Sequence, residues 1–161
     1  MAQNNSPGAR LIVVCGLPGS GKTTHATALE AKLPAIRFSA DDWMTALAIG
    51  LYDEAQREKI EALQGQLAER LLRLGLTVII EWGTWGRSER DALRLAARAA
   101  GTGVELHVLT APVETLFERL ERRGMENPPI QRDVLLRWAA IFQTPTSEEM
   151  ALFDVALTIN S

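Results

Sequence analysis

Short apolar runs alternate along the chain with longer stretches of helical periodicity. "LIVVC" (11–15) is continuously apolar and stops at Gly16, which predicts a strand buried on both faces. "KTTHATALEAKL" follows as a helix up to Pro34, and "AIRFS" (35–39) predicts a second strand. Beyond "ADDWMTALAIG", Asp53 is placed to cap a long helix. Ile60, Leu63, Leu67, Leu71 and Leu74 recur in it at spacings of three and four, which predicts one buried stripe ended by Gly75. "LTVII" (76–80) predicts the third strand, ending at Glu81, and a helix starting near Ser88 runs through "RDALRLAARAA". "VELHVLT" (104–110) and "FDVALTI" (153–159) predict the last two strands. Between them, Pro112 opens a helix whose inner face carries Val113, Leu116, Phe117 and Leu120, and "QRDVLLRWAAIF" forms another.

Strands alternating with helices imply a parallel sheet covered on both faces. The 161 residues suit one domain, expected over 11–161 behind a short mobile tail at 1–10. That tail has no apolar core and does not read as a signal peptide. No apolar run approaches membrane-spanning length. With 17 basic and 20 acidic residues the formal net charge is -3, which argues against affinity built on many nucleic-acid phosphates. The single Cys15 cannot form an internal disulfide and fits a reducing cytoplasm. Oligomeric state, monomer or homodimer, is left open.

Chemistry enters at "GLPGSGKT" (16–23), which satisfies G-x-x-x-x-G-K-[ST] between a strand and a helix. Glycines let successive backbone N–H groups converge on phosphate oxygens at the positive end of a helix. The expected nucleotide cradle is Gly16, Leu17, Pro18, Gly19, Ser20, Gly21, Lys22, Thr23 and Thr24. Lys22 is placed for the β- and γ-phosphates and the Thr23 hydroxyl for Mg²⁺. Cys15 and His25 are assigned to packing or the helix surface. No guanine-recognition N-K-x-D motif is present.

"FSADDWM" sets Asp41 and Asp42 just after the second strand, at the carboxyl edge where open sheets bind ligands. A carboxylate there can hold an attacking hydroxyl in line and accept its proton, and one of the two is expected to cap the next helix. Trp43, Met44, Leu47 and Trp85 are expected around an acceptor cleft, while Trp82 and Trp138 are assigned to the core. "LFERLERRGMENPP" puts Arg119, Arg122 and Arg123 before a glycine- and proline-rich cluster, which predicts a lid over about 119–132.

"GLPGSGKTTHA" followed by "SADDW" resembles the small P-loop kinases that include phage polynucleotide kinase, with chloramphenicol phosphotransferase and the zeta toxins as more distant relatives. The resemblance implies a three-layer α/β/α fold of the nucleoside-monophosphate-kinase type, with five parallel strands in the order 2-3-1-4-5. It also implies ATP and Mg²⁺ as cofactors and transfer of the γ-phosphoryl group to a hydroxyl. It casts Asp41 as general base, with Asp42 as the second candidate, and Arg123 and then Arg119 as lid arginines on the ATP phosphates. In P-loop proteins an acidic residue at Glu81 often holds a magnesium-bound water. "EWGTWGRSER" resembles a pattern of bacterial small-kinase-like ATPases, which implies substrate contacts from Arg87 and Arg90 beside Trp85. Where polynucleotide kinases carry an arginine for substrate phosphate, this chain has Met44. The acceptor is therefore expected to be a small molecule: a natural product or antibiotic, a nucleoside or a sugar. A polynucleotide 5′-hydroxyl kinase and a regulatory ATPase without an acceptor stand as alternatives.

Overall fold

The structure, a computed structural model, describes residues 8–161; of the tail expected at 1–10, residues 1–7 lie outside the described residues, and Arg10 already belongs to the first strand. Five strands, β1 (Arg10–Cys15), β2 (Ala35–Phe38), β3 (Thr77–Gly83), β4 (Gly103–Thr110) and β5 (Val155–Asn160), form one sheet in the order 2-3-1-4-5. Every neighbouring pair is parallel. This is the order the family resemblance implied, in the P-loop kinase-like α/β class. Alternate residues of β1 feed two cores. Leu11, Val13 and Cys15 join one cluster, and Ile12 and Val14 the other. That explains why the strand is apolar at every position and not at every second one.

Among the described residues seven helices connect the strands: α1 (Lys22–Lys32), α2 (Ala40–Ala46), α3 (Glu54–Arg73), α4 (Arg87–Ala99), α5 (Val113–Arg123), α6 (Arg132–Ile141) and the single turn α7 (Ser147–Met150). Asp53 caps α3, accepting from the Gln56 N–H at 3.1 Å. Neither Asp41 nor Asp42 caps α2. Ser39 does so, accepting from the Asp42 N–H at 3.2 Å and leaving both carboxylates in the first turn.

The buried face of α3 keeps only part of the expected stripe. Ile60, Gln64, Ala68 and Leu72 face inward and Leu71 packs against the core, while Leu63, Leu67 and Leu74 are exposed. The cause is polar. Gln64 is fully buried, accepting from the Trp82 indole N–H at 2.6 Å and donating to the Ser39 carbonyl at 3.0 Å. These two bonds orient the helix, and the small Ala68 joins the cluster against the sheet.

Arg90 corrects a second expectation. Its side chain is fully buried on α4 and cannot contact a substrate. The guanidinium meets Glu149 through both carboxylate oxygens, at 2.6 and 3.0 Å. It also donates to the carbonyls of Thr84, Trp85 and Gln143. One arginine thus ties the β3–α4 turn to α7 and to the segment before it. Arg90→Ala is expected to lower stability by roughly 3–5 kcal/mol, because Glu149 would be left buried and unpaired. Replacing both partners by apolar residues of similar volume should cost far less, as read by chemical denaturation.

Candidate active site

The phosphate-binding loop lies between β1 and α1, where parallel pairing brings the ends of β1 and β3 together. The Gly16 N–H donates to the Gly83 carbonyl at 3.2 Å. The loop leaves no room for side chains at two of its glycines. A Cβ on Gly16 would stand 2.6 Å from the Leu109 carbonyl oxygen, and one on Gly19 2.8 Å from that of Leu116. Gly19 also has φ +81°. Lys22 curls back over the loop and donates to the Leu17 carbonyl at 3.0 Å. Burial pushes its ammonium down to about 8, against the pull of Asp41 and Glu81, with Arg123 adding to the depression. A phosphate would supply the missing counter-charge.

Lys22, Thr23, Asp41, Glu81, Trp85 and Arg123 all line one cavity of about 490 Å³. Each holds a defined set of partners. Asp41 Oδ1 accepts from Arg57 at 2.6 Å, and Arg57 also donates to the Leu51 carbonyl at 3.0 Å. Asp42 lies outside the cavity lining and pairs with Arg37 at 2.7 Å. The same Arg37 guanidinium contacts Glu81 closely and reaches Glu30 at 3.2 Å. Burial raises the proton affinity of the Glu81 carboxyl, against Arg37 and the Thr23 hydroxyl, which favour its charged form. Glu81 Oε2 is buried without a hydrogen-bond partner in the protein, on a carboxyl that lies beside the Thr23 hydroxyl. A hydroxyl and a carboxylate with a free oxygen are hard donors of the kind magnesium takes when phosphates complete its shell. Among the described residues no three His, Cys, Asp or Glu side chains converge as a self-sufficient metal centre.

Other expected residues lie elsewhere. Arg87 is exposed at the start of α4, 3.5 Å from Asp91, and does not line the cavity. Arg119 lies on the far side of the loop, donating to the Gly19 carbonyl at 3.3 Å and to Ser161 Oγ at 2.9 Å. There it borders a second, open hollow with Thr24, His25 and Ile159. Arg123 does line the main cavity, paired closely with Glu126. Met44 is fully buried and leaves the acceptor side, and Trp43 packs edge-on against Phe38. The apolar surface of the cavity comes instead from Leu51, Tyr52, Ile130 and three tryptophans. These are Trp82, Trp85 and Trp138; Trp82 and Trp138 pack against the core, as expected, and present an edge to the cavity as well. The rings of Trp85 and Trp138 are 5.6 Å apart and tilted by 52°.

Sequence reasoning missed Arg37 and Arg57. Arg37 sits within an otherwise apolar strand, a signal that it has buried work to do. Arg57 is marked only by its spacing from Glu54 and Glu61 on α3, a pattern shared with any solvated helix. Cys15 is inert packing under the loop, its thiol pushed up to about 11 by burial. His25 is bonded to His107 at 2.9 Å.

A strand–glycine loop–helix cradle at the carboxyl edge of a 2-3-1-4-5 parallel sheet defines a P-loop protein of the kinase-like type. Residues 11–145 match the AAA domain family, and the chain belongs to it. Solved structures agree on the fold. Kti12 of Chaetomium thermophilum in complex with ADP-AlF3 superposes with a TM-score of 0.73 at 23% identity, covering 93% of this chain and 88% of that one. A sugar kinase from Janibacter sp. HTCC2649 gives 0.68 at 21%, over 94% and 85%. The APS kinase CysC of Mycobacterium tuberculosis, in complex with AMPPNP and APS, gives 0.62 at 21%, over 94% and 89%. No curated protein matches the sequence.

The depressed Lys22 gives a sign-definite expectation. Phosphate binding favours the charged ammonium, so ATP binding near pH 8 should take up protons. Calorimetry in buffers of different ionisation enthalpy would read that uptake, which should fade towards pH 6.5, where Lys22 is already charged.

Proposed function

We propose that the protein transfers the γ-phosphoryl group of ATP to a hydroxyl of a small organic acceptor. The observation that carries this reading is that Lys22 and Asp41 line one cavity, a phosphate anchor and an unburied carboxylate within a single space. The kinase-like fold and family support the same reaction class.

The loop amides and Lys22 hold the triphosphate, and Arg123 approaches it from the far wall, releasing Glu126 as it does so. Thr23 and Glu81 would hold magnesium, which when bound would neutralise charge on the phosphate oxygens. Arg57 fixes Asp41 through Oδ1 and leaves Oδ2 to the acceptor hydroxyl. As the acceptor oxygen bonds to the γ-phosphorus and the bond to the β-phosphate oxygen breaks, Asp41 takes the hydroxyl proton and ADP departs. Arg119 serves the other end of the nucleotide, where its guanidinium borders a hollow continuous with the loop and can lie against a planar base. The surplus of carboxylates around the acceptor side disfavours a polynucleotide.

Asp41→Asn should lower the transfer rate by about 10²–10⁴-fold with nucleotide affinity retained. Asp42→Asn, outside the cavity, should transfer nearly normally, and the reverse result would move the base to Asp42. Arg119→Ala should weaken ATP by roughly 3- to 30-fold without changing the KM of the acceptor. Labelled ATP with a pooled set of hydroxyl compounds, read by gain of one phosphoryl group, tests the reaction itself.

A further inference from the structure

The wall of the cavity formed by α3 carries charge that phosphoryl transfer does not use. Glu54, Glu58 and Glu61 stand at spacings of four and three on one face of that helix, and all three line the cavity. Glu89 of α4 and Glu126 line it too. The cations lining the same space are fewer, Lys22, Arg57 and Arg123, and of these Arg123 pairs with Glu126 and Arg57 with Asp41, while Lys22 lies under the pull of Asp41 and Glu81. Arg57 reaches Glu61 only at 4.0 Å. Burial pushes the Glu61 carboxyl up to about 7, with Arg57 opposing and Glu89, Glu54 and Asp41 adding to the rise. The negative charge on this wall is therefore not balanced from within.

Two further features point to what balances it. Tyr52, Trp82, Trp85 and Trp138 line the same space, and the negative faces of aromatic rings attract cations. Moreover, Thr84 is only 4% exposed and lines the cavity, and its Oγ1 has no hydrogen-bond partner in the protein. Such a buried, unsatisfied hydroxyl calls for a bound partner. Carboxylates beside aromatic faces suit an ammonium group, whereas a carboxylate or phosphate on the acceptor would meet like charge and no uncommitted guanidinium.

We infer that the acceptor is a hydroxyl compound bearing one or more protonated amines, an amino sugar, aminocyclitol or amino alcohol, held between the α3 carboxylates and the aromatic side chains. The hydroxyl that receives phosphate rests on the kinase reading above, but the binding of the amine does not.

The test is calorimetric titration of the full chain, with and without a non-hydrolysable ATP analogue, using kanamycin, glucosamine, N-acetylglucosamine, glucose and gluconate. Phosphoryl transfer to each is followed separately by mass. Kanamycin or glucosamine should bind at least about tenfold more tightly than the acetylated, neutral or acidic probes. The Glu54→Gln/Glu58→Gln double variant, changed only at exposed positions, should lose that advantage while keeping its affinity for the ATP analogue. If the amines bind no better than N-acetylglucosamine, or bind the double variant equally well, the inference is overturned. Amine binding without transfer to any probe would uphold it and count against the kinase reading. Transfer to glucose or gluconate but not to the amines would do the reverse.

Discussion

Five parallel strands deliver their carboxyl ends to one edge, and along that edge stand more carboxylates than cations. Such crowding would drive protons onto the acids or force the edge apart unless something held the charges in register. Arg37 does much of this. Its guanidinium lies among Glu30, Asp42 and Glu81, joining the end of α1, the start of α2 and the end of β3. Because Glu81 is held on one oxygen, the other is left for the phosphate side. Because Asp42 is drawn away, Asp41 alone of the adjacent pair lines the cavity. The division of labour between two neighbouring aspartates is thus set by a strand residue that stands behind the cavity lining, against Glu81 and Asp42.

Much of the fold was legible in the sequence because parallel strands buried on both faces must be apolar throughout, and "LIVVC" and "LTVII" are. The glycine loop is equally legible, since its backbone path excludes side chains at Gly16 and Gly19. The face of α3 was legible only in part. Leucine spacing measures apolarity, but the helix is oriented by Gln64, whose two hydrogen bonds can be made only in the buried position. A polar residue satisfied inside a core outweighs leucines that cost little when exposed.

The site divides in the same way. Lys22, Thr23 and Asp41 are legible because each is tied to a motif beside a strand end. Arg90 was misread because a charged residue in the first turn of a helix ordinarily faces water, and its buried partner Glu149 lies 59 residues further along the chain. Met44, expected at the acceptor cleft and found in the core, shows the same limit for apolar residues. Hydrophobicity says that a side chain avoids water, but not whether it meets the core or a ligand. Which wall each residue joins depends on helix rotation, and that is settled by long-range polar contacts.

A hydrogen bond ties the aromatic side of the cavity to the segment that carries Glu126. The Tyr52 hydroxyl, in the segment before α3, donates to the Pro128 carbonyl, in the segment between α5 and α6, at 2.8 Å. Glu126, two residues from Pro128, is in turn the partner of Arg123. The stretch that answers to charge on the phosphate side is therefore latched to the aromatic side. Any shift of one must either carry the other along or break the latch, so the two halves of the cavity are mechanically a single clasp and not independent sites.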